Sequence, residues 1–494
     1  MNDKTWKTAL WDTSWEELYE GKFSKEGICS FSKTNGATLE IPFGDLSKTR
    51  VLMTTGRYVE GISSRRYDYL FGIAQDGTRF VLCNVLSNGV GESLPGSTHE
   101  TLRAPTVLEA RGEFDPSSPM LSAQFDIDFL IDWLGVDYHP IHKGNTYTFD
   151  YDNGRLSLPL LVSSKACVEI RAGIDRPKNN SSGVSTSYYC RVCIEYPYGK
   201  SLDEIWRTDL WKLQSLFAFC FGTYPEVTSA KVRQKREDGW IRVYRSFANT
   251  NRVAKLSSHP PIQLHQLGRD GLLKLAQNWF ALTGDEQHAA EMLTSLLGSW
   301  NMPLDLELLA ATTMFESLLR ANRPPLYDKE ALGELIEPII ASANDEIRER
   351  VKGLLGMLKT PSYYQLLKEA YEEAKPWSQR LLPRWSKFRD EQYALRIGGA
   401  HGIESNENPY LRIDHYYAQI TLAYFILMKR LGLPAEAIDG FEESNFLNVA
   451  RWEITRRYAI SPSSRRGKRP RRTRDTSNKK RFRNKRHYSC DEER

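Results

Sequence analysis

The chain has 494 residues, 40% of them hydrophobic and 26% charged, an ordinary balance for folded protein and enough length for two or three cores. No apolar run approaches the ~18 residues of a membrane span; the most apolar window, Ile420 to Met428, runs into Lys429 and Arg430. The net charge of +5 is unevenly held: residues 465–486 carry 13 Lys and Arg against Asp475 alone, so the rest of the chain is net acidic.

Lys4, Trp6, Lys7, Asp12 and Glu16 break up the N-terminus, which therefore lacks the apolar core of a secretory signal. The seven cysteines are scattered and odd in number, giving no disulfide framework and fitting a reducing cytoplasm.

The first half reads as β-rich. Tyr67 to Ala74 and Thr78 to Val85 flank Gln75-Asp76-Gly77, a hairpin signal, and Thr146 to Tyr151 and Arg155 to Val162 flank Asp152-Asn153-Gly154 in the same way. Further strands are expected at Ala37 to Phe43, Arg50 to Thr55, Thr106 to Phe114, Cys167 to Ala172 and Tyr188 to Tyr196. Short strands between Gly, Asn, Asp and Ser turns suit a sandwich or barrel. A bulky helix over Leu202 to Phe221 interrupts them, with two short strands following near Ala230 to Gln234 and Trp240 to Arg245.

The second half changes to helical period. Leu304, Leu308, Ala311, Phe315 and Leu318 form one amphipathic stripe; Ile336, Ile340, Ala343, Ile347, Val351, Leu354 and Leu358 form the next, as a single helix ending before Pro361. Ser362 to Ala374 makes a third, Trp385, Phe388, Gln392 and Leu395 mark a fourth, and Ile413 to Leu431 a fifth, stopped by Gly432 and Pro434. Such a series suits an up-and-down bundle. The overall expectation is a multidomain α+β chain: a β-rich, sandwich-like region over 1–280, a helical bundle over 281–445, and a disordered basic tail over 461–494.

Chemistry concentrates where the fourth helix ends, at Arg396-Ile397-Gly398-Gly399-Ala400-His401-Gly402. Arginine stays charged and grips phosphate with a planar fork; histidine exchanges a proton near neutral pH. Four intervening residues set the pair about one helical turn apart. A structural arginine and histidine at this spacing is the bland alternative. Other candidates are poorer. Cys190 and Cys193 form a lone C-x2-C near Cys167 and Cys220, short of a four-ligand zinc set, and read better as buried strand cysteines. His139 and His142 read as loop residues, and Gly89, Gly91 and Gly96 do not fit a phosphate loop.

The segment Leu395-Arg396-…-Ala400-His401-Gly402 resembles the R-x4–6-H motif of the HEPN superfamily, and its setting, ahead of a long apolar helix, is similar too. Over about 290–440 the chain resembles the HEPN domain of ApeA-like bacterial anti-phage proteins, and over about 10–280 it is similar to their N-terminal domain. Ile397 departs from the pattern, because that family often has Asn, Asp or another polar residue there.

The resemblance implies a metal-independent endoribonuclease without a cofactor, active in abortive infection and working as a homodimer through the HEPN domain. His401 would be general acid/base and Arg396 the phosphate-stabilising charge, with Glu316 as a supporting carboxylate. The β-rich half would sense a phage-derived trigger or hold the nuclease inactive.

The tail, with Arg465, Arg466, Lys468, Arg469, Arg471, Arg472, Lys479, Lys480 and Arg481, suits RNA phosphates; a solubilising, ribosome-contacting or anionic-membrane role is the alternative. Two other readings of the whole chain stay open. One is a non-catalytic HEPN-like module that dimerises or holds nucleotide or RNA, with a partner-recognising β-domain; the other is a nucleic-acid binder whose activity lies in the tail.

Overall fold

A computed structural model describes residues 4–6, 9–21, 24–46, 66–93, 97–135, 141–143, 146–148, 156–174, 178–180, 183–185, 188–246, 256–298, 302–321, 323–400, 409–444 and 448–459. Strands β1 (Lys4–Thr5) and β2 (Ala9–Asp12) lead into a short helix α1 (Trp15–Glu20), then β3 (Lys25–Ser32), β4 (Gly36–Ile41), β5 (Arg66–Ala74), β6 (Arg79–Ser93), β7 (Ser97–Ala104) and β8 (Thr106–Ala110). After β9 (Met120–Ile127) and α2 (Leu130–Leu134) come β10 (Ile141–Lys143), β11 (Thr146–Thr148), β12 (Leu156–Val162), β13 (Cys167–Ile174), β14 (Lys178–Asn180), β15 (Gly183–Ser185) and β16 (Tyr188–Lys200). A helical segment follows: α3 (Leu202–Glu204), a π-helical turn over Ile205–Leu210, and α4 (Trp211–Phe221). Strands β17 (Val227–Arg233) and β18 (Ile241–Arg245) end the β-rich region.

Period-two burial makes these strands. In β3, Gly27, Cys29 and Phe31 point inward, and in β4 Ala37, Leu39 and Ile41 do. The strands β6-β5-β2-β3-β4-β7 pair in that order, and β7 pairs back onto β6, so they close into a barrel. From β6 the sheet continues through β8, β18, β17, β9, β16 and β13 to β12. Trp11 fills the barrel, its indole Nε1 donating to the Gly27 carbonyl at 3.3 Å. Its ring lies so close over Gly72 that a Cβ there would come within 2.7 Å of it, which is why that position carries no side chain.

The expected hairpin at Gln75-Asp76-Gly77 is β5–β6, with Gly77 at φ 80°. The second expected hairpin is corrected. β11 pairs with β10 and β12 pairs with β13, so the segments around 146–148 and 156–162 have different partners. β12 turns Leu158 and Leu160 into the core beside Val168 and Ile170 of β13, and that burial outweighs a local turn preference. Asp152 to Gly154, and the strand expected at Arg50 to Thr55, lie outside the described residues. His142, read as a loop residue, belongs to β10 opposite Tyr147; His139 is outside the described residues.

The helical region comprises α5 (Leu264–Ala281), α6 (Gly284–Leu296), α7 (Leu304–Arg320), α8 (Lys329–Ser342), α9 (Arg348–Gly356), α10 (Tyr363–Glu373), α11 (Trp377–Leu381), α12 (Trp385–Ala400), α13 (Pro409–Arg430), α14 (Ala435–Glu443) and α15 (Asn448–Arg457). The chain is thus a β-rich region followed by an α-helical one. The stripe from Ile336 to Leu358 is two helices rather than one. Ala343 is extended, and Asn344 Oδ1 accepts from the Glu346 amide, turning the chain between α8 and α9. Leu332 alone is buried on α8 and no residue is buried on α9, so most of this stripe faces outward.

α13 is buried without a break from Ala418 to Met428, so this stretch leaves no face to solvent, the expected place of a mostly apolar segment inside a bundle. Among the described residues no helix is long and apolar enough to cross a membrane. Cys190 and Cys193 sit on β16, half-buried and buried; desolvation pushes the Cys193 thiol up to about 11, making it an unreactive strand cysteine.

One apolar core runs through both regions, and α4 is its hinge point. Leu213 through Phe221 of α4 are all buried. The Phe219 ring stacks on Tyr424 of α13 at 4.8 Å and 6°, and the Tyr424 hydroxyl donates to the Phe219 carbonyl at 3.3 Å. Trp279 of α5 donates to Ser215 Oγ at 3.4 Å, and Trp133 of α2 donates to the Ile262 carbonyl at 2.7 Å. Phe219→Ala should cost about 3–5 kcal/mol. Because the ring belongs to both regions, far-UV dichroism and tryptophan fluorescence should shift together in a single urea transition.

Candidate active site on helix α12

The site is assembled from the starts and ends of helices. Ser362 caps α10 by a capping box with Gln365, fixing Tyr363 as the first helical residue with its ring turned inward. On α7, Glu316 follows the buried Phe315 and stands beside the core stripe. α12 is anchored by Trp385, stacked on Tyr371 at 4.4 Å, and by the fully buried Phe388. Arg396 therefore arrives one helical turn before the end of α12 in a fixed setting.

Its guanidinium is held on two sides. Nε donates to Glu316 Oε2 at 2.9 Å and Nη2 to Oε1 at 3.1 Å, a two-pronged pair, and the group lies 4.9 Å over the Tyr363 ring. Arg320 also donates to Glu316 Oε1, at 2.8 Å from Nη2. Burial pushes the Glu316 carboxyl up, but the hydrogen bonds from Arg396 and Arg320 outweigh it and hold the group below the usual carboxylate range. The pair with Glu316 in turn raises Arg396 further. The Arg320–Glu316–Arg396 cluster keeps a net positive charge, and Arg396 Nη1 is not used in the pair, leaving a donor for a further oxygen.

Beneath Arg396 lies a buried polar chain that sequence reasoning missed. The Tyr363 hydroxyl accepts from Gln392 Nε2 at 3.2 Å, and Gln392 Oε1 accepts from His415 Nδ1 at 2.8 Å. His415 is fully buried, stacked on Phe388 at 4.7 Å. The Tyr458 hydroxyl lies between two acceptors: it donates to Glu391 Oε2 at 2.7 Å and is 2.9 Å from His415 Nε2. Burial pushes the His415 imidazole down, against the raising effect of Glu391. Gln392 was visible in the sequence as part of the α12 stripe. His415 was not, because a histidine inside an apolar helix carries no spacing signal of its own.

The structure thus brings Arg396 and Glu316 together, whereas His401 and all the tail residues singled out above lie outside the described residues. Ile397 is exposed. Two surface clefts of about 610 and 830 Å³ lie elsewhere; neither is lined by Arg396 or Glu316.

In a comparison with protein families, the profile described as ApeA N-terminal domain 1 fits residues 15–271, more than half of the chain. The chain belongs to this ApeA family. At the level of the family this associates it with anti-phage defence. Neither the curated proteins nor the solved structures gave a match. The ApeA match begins at α1, after β1 and β2, takes in the rest of the barrel, the open sheet and α4, and ends inside α5; Arg396, Glu316 and His415 lie beyond it.

The buried histidine gives a signed pH dependence. The unfolded chain takes up a proton on this residue as pH falls through about 6.5, while the folded chain resists until lower pH. Stability from the neutral ring is therefore present above about 6.5 and lost as pH falls below it. In urea titrations the stability gap between the parent and His415→Gln should be widest near pH 7.5 and narrow steadily towards pH 5.5. A gap independent of pH would mean that His415 does not stay neutral in the folded chain.

Proposed function

We propose that this chain is a metal-independent endoribonuclease of the HEPN type, acting on RNA in the cytoplasm as part of anti-phage defence, with Arg396 and His401 as its catalytic pair. The observation that carries the reading is the fixed, charged Arg396. A two-pronged carboxylate and a tyrosine face orient it, yet it keeps a spare donor and sits in a net positive cluster five residues before His401.

On this reading the RNA 2′-oxygen attacks the adjacent phosphorus as its proton passes to a base. The bond to the 5′-oxygen breaks and that oxygen takes a proton, leaving a 2′,3′-cyclic phosphate and a 5′-hydroxyl. His401 handles the proton transfer and Arg396 stabilises the charge gathering on the phosphoryl oxygens. Glu316 is a positioning residue, acting through Arg396.

Cleavage by this pair needs a second copy of the chain to complete the cleft, and α8–α9 offers a surface for it. Leu354 of α9 and Met357 just after it are 61% and 70% exposed, and Leu335 and Ile339 of α8 and Ile347 just before α9 are also exposed. α8 is net acidic through Glu330, Glu334 and Glu337, and α9 is net basic through Arg348, Arg350 and Lys352, so a two-fold pairing sets opposite charges against each other. The basic tail supplies a second support. Tyr458 is tied to Glu391, and Lys387 lies 5.6 Å from its ring, so the chain leaves for the tail from the flank of α12, about 7.5 Å along the axis from Arg396.

Arg396→Ala and His401→Ala should each reduce RNA cleavage by at least about 10²-fold, read by sequencing RNA ends in cells with and without phage. Intact cleavage in both variants would remove the Arg396–His401 pair as its source and overturn this reading. A doubly substituted Leu354→Asp, Met357→Asp chain should run as a monomer by light scattering and lose cleavage with the dimer. Deleting 461–494 should weaken RNA binding and flatten its salt dependence while leaving the products' end chemistry unchanged.

A further inference from the structure

Beside Arg396, α10 and α12 present an aromatic pair that the catalytic reading does not use. Tyr364 and Tyr393 are 37% and 39% exposed, edge to face at 5.9 Å and 89°. Their neighbour Tyr363 is buried and does the interhelical packing, so the outer pair is not required to join the helices. Polar partners hold Tyr364 in place, and Tyr393 packs against its ring. The Tyr364 hydroxyl donates to Asp390 Oδ1 at 3.1 Å, and Arg389 donates to the same oxygen from Nε at 3.1 Å and from Nη2 at 3.0 Å. The Arg389 guanidinium lies flat enough on Tyr364 to stand 4.0 Å from its ring centroid.

Arg389, Tyr393 and Arg396 fall at i, i+4 and i+7 of α12, one face about 10 Å long that ends at the catalytic arginine. Lys368, exposed one turn after Tyr364 on α10, adds a cation on that helix. Aromatic rings and guanidinium planes interleaved with cations suit unpaired nucleobases, which stack on the planes while their phosphates meet the charges. An acidic peptide would match the cations but leave the ring faces unstacked, and an aliphatic partner would leave both without matching groups.

We infer that Tyr364, Tyr393 and Arg389 form a stacking platform for unpaired bases of single-stranded RNA, lying alongside the cleavage site. This inference rests on the nuclease reading for its substrate class and extends it: the enzyme takes single-stranded RNA and reads base planes rather than duplex shape. The platform is pre-ordered by Asp390 and needs no specific base edge, so preference among the four bases should be weak.

The test separates platform from nuclease. Full-length His401→Ala protein is titrated with a labelled ten-nucleotide oligouridine and with an abasic oligomer of the same length, which keeps every phosphate. The base-bearing oligomer should bind about tenfold more tightly. Adding Tyr364→Ala and Tyr393→Ala should reduce it to the abasic affinity with the salt slope unchanged, and Tyr364→Phe with Tyr393→Phe should restore the difference. The Phe pair keeps the rings and so guards against a folding defect. Equal affinity for the two oligomers, no binding of either, or an undiminished difference in the Ala variant would overturn the platform. So would conversion of a dimer to a monomer with base discrimination retained, which assigns the rings to a second copy. The nuclease reading fails on a different result, cleavage that survives Arg396→Ala and His401→Ala, so each can fall while the other stands.

Discussion

The stacked pair Phe219–Tyr424 joins the two halves of the chain, and the arrangement of both depends on it. A helix as apolar as α4 cannot face water on any side. It must be covered on more than one side, and the structure does so: Trp206 of the π-helical turn that leads into α4 packs on Phe125 of β9, while Trp279 and Tyr424 meet Phe219 of α4 from the helices. The order of elements follows. The ApeA-family region cannot end at its last strand, because the helix it carries would be left half covered, and its match accordingly reaches into α5.

Charge at Arg396 poses a second constraint. A guanidinium about one-third exposed loses part of its hydration, and a partner carboxylate is the ordinary compensation. A one-to-one pair would cancel the charge that a phosphate needs. Glu316 avoids this by serving Arg320 as well, so one carboxylate orients Arg396 while the three groups together remain cationic. Solvent screening at this exposure keeps the pair's contribution to stability small. Its larger consequence is geometric, since the planar fork fixes the direction of the remaining donor.

Much of the fold was legible in the sequence because it rests on local periodicity. The alternation around Gln75-Asp76-Gly77, the bulky run of 202–221, and the stripes of α7, α10, α12 and α13 each state their own element. What was hidden depends on distant partners. The pairing of β12 with β13 is decided by shared burial of Leu158 and Ile170, not by the turn residues near 153. The break between α8 and α9 interrupts an unbroken apolar rhythm at Asn344, where a side chain competes for the backbone. Arg396 was readable as half of a spacing motif, and Glu316 only as a neighbour of the core stripe. Their pairing across 80 residues was not, and neither was the chain from Tyr363 through Gln392 and His415 to Tyr458, assembled from α10, α12, α13 and the residue after α15.

That chain and the seam meet on one element. α13 carries Tyr424 against α4 and His415 beneath α12, nine residues apart, or about 13 Å along the helix. Between them α13 is enclosed by packed side chains, and a close-packed helix passes on a displacement instead of absorbing it. The polar chain at its other end is buried, so a lost bond leaves a desolvated group without a partner, at a cost in free energy. Contacts thus run without a break from α4 through α13 to Gln392 and to Tyr363, the ring under the Arg396 guanidinium. The ApeA-family region and α12 are therefore joined through one continuous packed core, with α13 as the element that touches both.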